Sequence, residues 1–391
     1  MAQPAPSGLI IIDKPQGVTS FDAVAAVRAA LHIKKVGHAG TLDPMATGAL
    51  VIAFGHATRL LNAIVEHDKT YEATIRLGLG TTTDDAEGEL IAVQGDGTHA
   101  ITDVTQEKIR AVIADHFTGD IEQVPNTFSA IKINGKRAYD LAREGKDVEL
   151  KARPVHIGEF AVLAVRQGYV AGERAGKPLR EAVDWFGTGD SSGVTTSAVP
   201  AASGALSASA IPVLDVDVRV SCSSGTYIRA LARDLGAELG VGGHLIRLRR
   251  TRVGHFALPD DTSGLIGDEA MEATRDHTVT AHSESKTFTN RDGETITRNK
   301  CVLDTPAELS GEERRNWLLG RALTMEQAAR GAMPALDITP EEATELRFGR
   351  RIERKIGEPT VAIVPQTHDV VAILERANAH QAKPATVFPA E

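Results

Sequence analysis

The chain opens with an unbroken apolar run, Leu9 to Ile12, that stops at Asp13-Lys14-Pro15-Gln16-Gly17; this predicts a short buried strand closed by a Pro/Gly turn. Helical spacing follows, with Ser20 placed to cap a helix whose apolar face carries Val24, Val27 and Leu31. A glycine-rich loop from Gly37 to Gly48 leads into a second strand, Ala49 to Phe54. From Tyr71 to Leu77 the pattern alternates strictly, which predicts a strand with Tyr71, Ala73, Ile75 and Leu77 on one face and Glu72, Thr74 and Arg76 on the other. Val216, Val218, Val220 and Cys222 share one face of a later strand. The Ser-Ser-Gly turn after it leads into a helix with Ile228, Leu231, Leu235 and Leu239 on its buried stripe. Strands joined by long helix-containing segments predict an α+β fold around a large sheet, not a sandwich.

Two stretches break the pattern. From Gly187 to Ala210, 16 of 24 residues are Gly, Ala or Ser, which predicts a flexible linker. From Glu272 to Lys300 the only large apolar residues are Val279, Phe288 and Ile296, and five acidic residues balance five basic ones, which predicts a mobile loop. The C-terminal part starts afresh with a capping box, Thr339-Pro340-Glu341-Glu342, then a basic run through Arg347, Arg350, Arg351, Arg354 and Lys355. Two short strands follow, Thr360 to Val364 and Asp369 to Leu374, so a small β-rich accessory domain is expected.

Composition narrows the class. A length of 391 residues suits two or three domains, and 42% hydrophobic with 24% charged residues is ordinary for a soluble protein. The first apolar run is too short for a membrane span or a signal-peptide core, so a cytoplasmic protein is expected. Cys222 and Cys301 are the only cysteines and neither lies in a CxxC pair, which excludes a disulfide scaffold and a multi-cysteine zinc site. The net charge of −9 argues against a nucleic-acid partner for the chain as a whole. The charge is uneven, however: residues 132–153 carry +3 and residues 217–256 carry +4, which leaves −16 on the remainder.

Nucleotide-hydrolase, zinc-protease and serine-hydrolase signatures are absent, and Gly78-Leu79-Gly80 lacks the third glycine of a dinucleotide loop. What remains is Gly37-His38-Ala39-Gly40-Thr41-Leu42-Asp43-Pro44, a carboxylate in a flexible loop between regular elements. Taken alone, an Asp-Pro pair in a loop is more often a turn than a catalytic group.

Seen together, GLIIIDKPQG (8–17), VGHAGTLDPMATG (36–48), KTYEATIRLG (69–78), QVPNTFSAIKINGKRAY (123–139) and SCSSGTYIRA (221–230) resemble the TruB family of bacterial tRNA pseudouridine-55 synthases. Ala152-Arg153-Pro154, Gly243-His244-Leu245 and Leu248-Arg249-Arg250 add to the match, and Leu318 to Ile352 is similar to the family's C-terminal stretch. The blocks keep the family's order over most of 8–163 and 211–256. Insertions at about 164–210 and 258–316 depart from its pattern.

The resemblance implies a pseudouridine-synthase-type mixed, mainly antiparallel sheet flanked by helices and loops. It implies a catalytic domain over 1–257, a polar insertion or linker over 258–316, and a PUA-like RNA-binding domain over 317–391. The implied activity is isomerisation of uridine to pseudouridine at position 55 of the tRNA T-loop, on a base flipped out of the loop, with no metal or organic cofactor. The partner is the T-loop and T-stem of tRNA, with no membrane, no obligatory protein partner and a monomeric state. By correspondence Asp43 is the nucleophile or base, Arg229 its ionic partner, and Tyr71 the tyrosine that stacks on the target base and takes a proton. His38 corresponds to the residue that fills the opened loop, Tyr227 and Leu248 to base-pocket residues, and Lys14 to a lysine supporting the site. Lys132, Lys136, Arg137, Arg249 and Arg250 are the expected RNA phosphate contacts. Without the resemblance, Tyr71, Tyr227 and Leu248 read as core, Arg229 as a solvated helix arginine, Lys14 as an exposed turn lysine and His38 as a loop histidine bonded to backbone. A non-catalytic RNA-binding module and an aspartate-dependent nucleoside hydrolase are the competing classes.

Overall fold

The computed structural model describes residues 6–91, 101–126, 132–133, 136–137, 150–171, 210–259, 277–289 and 293–390. The chain forms two compact units, one discontinuous in sequence, Met1–Lys69 with Arg249–Glu391, and one continuous, Thr70–Leu248. The blocks expected from the sequence, which divide at 257 and 316, cut across these units.

The first unit starts with β1 (Gly8–Lys14), α1 (Ser20–Leu31), β2 (Val36–Ala39), β3 (Thr47–Phe54) and α2 (Leu61–Val65). β1 lies antiparallel to β3, with Ile11 opposite Val51. The other edge of β3 is shared end to end, by β2 at residues 51–54 and by Arg249 and Arg250 at residues 47–48. Leu9 to Ile12 are at most 1% exposed, because β1 is covered on both faces, as an unbroken apolar run requires. The cap of α1 is Thr19, not Ser20: Thr19 is extended and exchanges both capping-box bonds with Asp22. This leaves Ser20 as the first helical residue, with its hydroxyl turned inward.

The second unit holds β4 (Lys69–Leu77), β5 (Gly80–Thr81), β6 (Leu90–Ile91), α3 (Gln106–His116), β7 (Gly119–Gln123), the short pair β8 (Lys132–Ile133) and β9 (Lys136–Arg137), β10 (Arg153–Ala171), β11 (Ala210–Cys222) and α4 (Ile228–Glu238). Its sheet runs β4-β11-β10-β7. The alternation of β4 is real, yet its polar face is not given to solvent. Arg76 forms a two-point pair with Asp215 at 2.8 Å for both bonds, Thr74 donates to Asp217 at 2.8 Å, and Arg219 donates to Glu72 at 3.2 Å. β10 and β11 stay paired out to Ala171 and Ala210, so the insertion expected from residue 164 begins as a continued β-ribbon. The linker expected at Gly187 to Ala210 falls outside the described residues except at Ala210.

β12 (Gly243–Val253) returns the chain to the first unit, followed by β13 (Phe256–Ala257), β14 (Thr278–Thr289), β15 (Thr295–Leu303), α5 (Gly311–Gly320), α6 (Met325–Ala332), β16 (Ala335–Asp337), α7 (Pro340–Arg347), β17 (Thr360–Val364), β18 (Asp369–Arg376) and β19 (Ala382–Val387). Within the described residues 277–289 and 293–300, the mobile loop expected at 272–300 is corrected here. β14 pairs parallel to β1, with Ile12 opposite Val279, and β15 pairs antiparallel to β14. An open strand edge needs only backbone partners, so β14 forms with few large apolar residues, anchored by buried Val279, Cys301 and Leu303.

The C-terminal sheet, β16-β17-β18-β19, has a core of its own around Ile338, Leu346, Val371 and Leu374. Its Val361, Ile363 and Val370 join a second cluster with Leu9, Val51 and Phe256. α7 is capped by Thr339 as its capping box predicts. The basic run after it is interlaced with acids: Arg347 pairs with Asp369, Arg350 with Glu345 and Arg354 with Glu342.

Candidate active site

In the first unit the sequence around Asp43 is held by three polar side chains, each bonded to backbone. Lys14, at the end of β1 and 0% exposed, donates from Nζ to the carbonyls of Pro15 (2.9 Å), Val18 (2.8 Å) and Pro44 (3.4 Å). It is not the exposed turn lysine of a bare sequence reading. Ser20 Oγ accepts from the Leu42 N–H at 2.8 Å and donates to the Leu42 carbonyl at 3.1 Å. Arg250, 1% exposed, donates from Nε to the Ala49 carbonyl (2.8 Å) and from Nη2 to the Gly40 carbonyl (3.0 Å). The backbones of residues 40, 42 and 44 are therefore each fixed from a different direction, with half-buried Asp43 between them. Gly40 (φ +84°) and Gly48 (φ +104°) make the approach possible; a Cβ on Gly48 would sit 2.2 Å from the Arg250 carbonyl oxygen.

Burial pushes the Lys14 pKa down to about 8, with the negative charge of Asp43 opposing the shift. Below pH 8 both folded and unfolded chains hold this proton and burial of the charge costs stability. Between about 8 and the ordinary lysine value of about 10.4, the unfolded chain holds more protons, so stability rises with pH. We predict that the native protein gains stability relative to Lys14→Met as pH goes from about 7.5 to about 10; a constant difference in urea unfolding would refute it. Ser20→Ala leaves both Leu42 backbone groups without their buried partner and should cost about 1–3 kcal/mol in the same assay.

His38 lies on β2, not in a loop, opposite Ile52. Burial, helped by the Arg250 charge, lowers its pKa, so its ring is neutral at pH 7. Arg249 forms a two-point pair with Asp13, both bonds 2.9 Å. Arg250 is corrected as a phosphate contact: it lies under the loop with its guanidinium committed to carbonyls. The basic count of 217–256 misleads for the same reason, since Arg219, Arg229, Arg233 and Arg249 all have carboxylate partners. The contacts expected of Lys132, Lys136 and Arg137 concern side chains outside the described part of the structure.

In the second unit Arg229 is 5% exposed in the first turn of α4 and donates from Nη1 to the Thr83 carbonyl (2.9 Å) and to Asp85 (3.3 Å). Asp85 also accepts from Thr83 Oγ1 (2.5 Å) and the Glu87 N–H (3.0 Å). Half-buried Tyr227 is the N-cap of α4, and its backbone is bracketed by Gln123, which accepts from its N–H at 2.8 Å and donates to its carbonyl at 3.0 Å. Tyr71 and Leu248 are 7% and 6% exposed. Sequence reading missed Ser20, Asp85 and Gln123 as supports of the site. Gln123 opens one of the family-like blocks, but Ser20 and Asp85 show as helix-start and turn residues, and nothing in a linear sequence says that Ser20 grips the loop at Leu42 or that Asp85 holds Arg229.

The family model described as "TruB family pseudouridylate synthase (N terminal domain)" matches residues 28–174. Models for a tRNA pseudouridylate synthase B C-terminal domain and a tRNA pseudouridine synthase II C terminus match 229–276 and 333–389. A protein of Bifidobacterium longum (strain NCC 2705) named tRNA pseudouridine synthase B is 71% identical over the whole of both chains. Its namesake in Arthrobacter sp. (strain FB24) is 42% identical over 98% of this chain and 96% of that one. Among solved structures, a chain of a Cbf5-Nop10-Gar1 complex covers 98% of this chain and 84% of its own at 22% identity and a TM-score of 0.53. A chain of an H/ACA RNP bound to a substrate RNA containing 2′-deoxyuridine matches at 21% identity over 98% of this chain and 85% of its own, with a TM-score of 0.52; both show a shared α+β fold. With 71% identity spanning both chains end to end, and family models matching at three places along it, the chain belongs to the TruB family of pseudouridylate synthases.

Proposed function

We propose that this chain isomerises uridine to pseudouridine at position 55 in the T-loop of tRNA, with Asp43 as the catalytic carboxylate. The relatives' names supply the coarse activity, pseudouridine synthesis in tRNA. The observation that carries the finer reading is the grip of Lys14, Ser20 and Arg250 on the backbone around Asp43. A turn needs no such support, whereas a group that must meet one ribose carbon does.

The reaction breaks the C1′–N1 bond, turns the uracil and joins C5 to C1′; the proton lost from C5 is matched by one gained at N1. Nothing is oxidised and no group is added, so the proposal needs no metal or organic cofactor. Asp43 acts either as nucleophile at C1′, forming a sugar ester, or as base at C2′, giving a glycal. Arg229 is assigned by family correspondence as the ionic partner of the catalytic carboxylate, an opposite charge of the kind that favours an ionised carboxylate, and the Thr83 carbonyl and Asp85 hold this arginine in its own unit. Tyr71 stacks on the base and takes the C5 proton, with Tyr227 and Leu248 lining the pocket. Extrusion of the uridine costs a few kcal/mol, and stacking of His38 in the opened loop returns about 1–3 kcal/mol. The neutral state of His38 suits that place. Lys132, Lys136, Arg137 and Arg249 remain candidates for phosphates, Arg249 only by exchange of its Asp13 partner, and residues 317–391 for a PUA-like RNA contact. The proposal is of a cytoplasmic monomer without an obligatory protein partner.

Incubation with an unmodified tRNA transcript tests it. A single pseudouridine at position 55 is expected; free uracil without isomerisation would favour a hydrolase, and tight binding without product a non-catalytic module. Tyr71→Phe should lower turnover by about 100-fold or more, on the scale of a lost proton-transfer group. Unchanged turnover would remove the hydroxyl from the mechanism.

A further inference from the structure

The β14–β15 hairpin lies between the family-matched ranges 229–276 and 333–389. Its base belongs to the core of the first unit. Asn299 Nδ2 donates to the Gly17 carbonyl at 3.0 Å, and the Gly17 N–H donates to the Pro44 carbonyl at 2.7 Å, next to Asp43. Beyond this base the ribbon leaves the core. From Glu284 to Thr289 every side chain is exposed, and so are those from Thr295 to Lys300 except half-buried Ile296. At about 3.4 Å per residue, Ser283 to Thr289 extends about 20 Å. A two-stranded ribbon without a buried face is marginal by itself, so its side chains are the place to look for its purpose.

They are sorted by face. One face holds Ser285, Thr287 and Thr289 opposite Asn299, Thr297 and Thr295. The other holds Glu284 opposite Lys300, Lys286 opposite Arg298, and Phe288 opposite Ile296. Like charges set directly across a strand pair oppose its formation. In the free protein Lys286 leans toward Glu284 at 3.7 Å, and the Arg298 guanidinium sits 5.9 Å from the centre of the Phe288 ring. Three cations thus surround one carboxylate and a ring that is 44% exposed. A polyanion that also carries flat apolar rings relieves the Lys286–Arg298 repulsion and covers Phe288 at once.

We propose that this face of the hairpin is an RNA-binding surface for the tRNA substrate, with phosphates on Lys286, Arg298 and Lys300 and a base or ribose against Phe288. The proposal rests on the tRNA substrate of the proposed function and adds an RNA-binding element beside the turn that supports the Asp43 loop. RNA is favoured over an acidic protein because the opposite face offers only hydroxyls and an amide, which suit sugar and phosphate oxygens.

The test is filter binding of an unmodified tRNA transcript to the full-length protein over a range of salt concentrations. Lys286→Gln with Arg298→Gln should weaken binding about tenfold or more at about 0.1 M salt, and the slope of log affinity against log salt should fall by about 0.7–0.9 for each phosphate that is no longer neutralised. Phe288→Ala should weaken binding about fivefold or more, on the scale of one unstacked base, with the slope unchanged. The charge-preserving pair Lys286→Arg with Arg298→Lys should bind like the parent, and thermal melting checks the fold of each variant. Affinity within twofold and an unchanged slope for the Gln pair would overturn the proposal, as would equal weakening by the charge-preserving pair. Product mapping on the parent is scored separately, so absence of pseudouridine sinks the proposed function without altering what the binding data say of the hairpin.

Discussion

Asp43→Asn leaves less than about a thousandth of pseudouridine formation, a loss of about 4 kcal/mol in transition-state stabilisation, while tRNA affinity stays within about tenfold. The change is nearly isosteric and removes the one property that both chemical routes need: an amide is neither a nucleophile toward C1′ nor a base toward C2′. The loop itself should not move. Its supports bind the backbones of Gly40, Leu42 and Pro44, and these backbone bonds are expected to persist in the variant. Single-turnover conversion and tRNA binding, measured on the same preparation, separate the two effects. Turnover within tenfold of the parent would remove Asp43 from the chemistry. A large loss of affinity would mean that the residue builds the RNA surface instead.

Asp215→Ala should destabilise the protein by roughly 3–5 kcal/mol, because it strands a buried guanidinium. Arg76 and Asp215 are 2% and 3% exposed in their side chains, and two bonds of 2.8 Å join them between β4 and β11. Desolvation of both ions sets most of the pair's attraction against a penalty of similar size, so the pair adds little net stability although its rupture costs much. The double variant Arg76→Met with Asp215→Leu should therefore recover most of the loss. Urea unfolding of the three proteins checks both statements. A single variant within 1 kcal/mol of the parent would mean that solvent reaches Arg76 despite its burial, and a double variant no better than the single one would mean that the pair gives net stability.

Where the chain is regular, these elements could be read in advance. The apolar runs at 9–12 and 49–54, the alternation of 71–77, the stripe of α4 and the capping box at Thr339 all became the elements that they predict. Each is a local signal whose period matches one backbone geometry. The site was legible only as a set of blocks. Asp43, Tyr71 and Arg229 stood out through resemblance, while the residues that grip the Asp43 loop looked like a helix cap, a turn lysine and a surface arginine. Ser20 illustrates why: Thr19 captures the capping box with Asp22, and the freed hydroxyl then bonds to Leu42, 22 residues away.

The sequence by itself determined the strands and helices with a regular hydrophobic period, the class of fold and the family, because hydrophobic period and ordered motif blocks are properties of the linear chain. Tertiary structure alone decided which charges are surface and which are internal. Arg250 and Lys14, counted as basic residues, are anchors under a loop, and Arg76 on a polar face is a buried ion. It also turned the segment at 278–303 from a polar loop into strands, because β1 offers an open edge whose backbone groups accept a partner whatever its side chains. Charge and polarity act through distance and dielectric, and both are set by neighbours that the chain supplies from tens to hundreds of residues away.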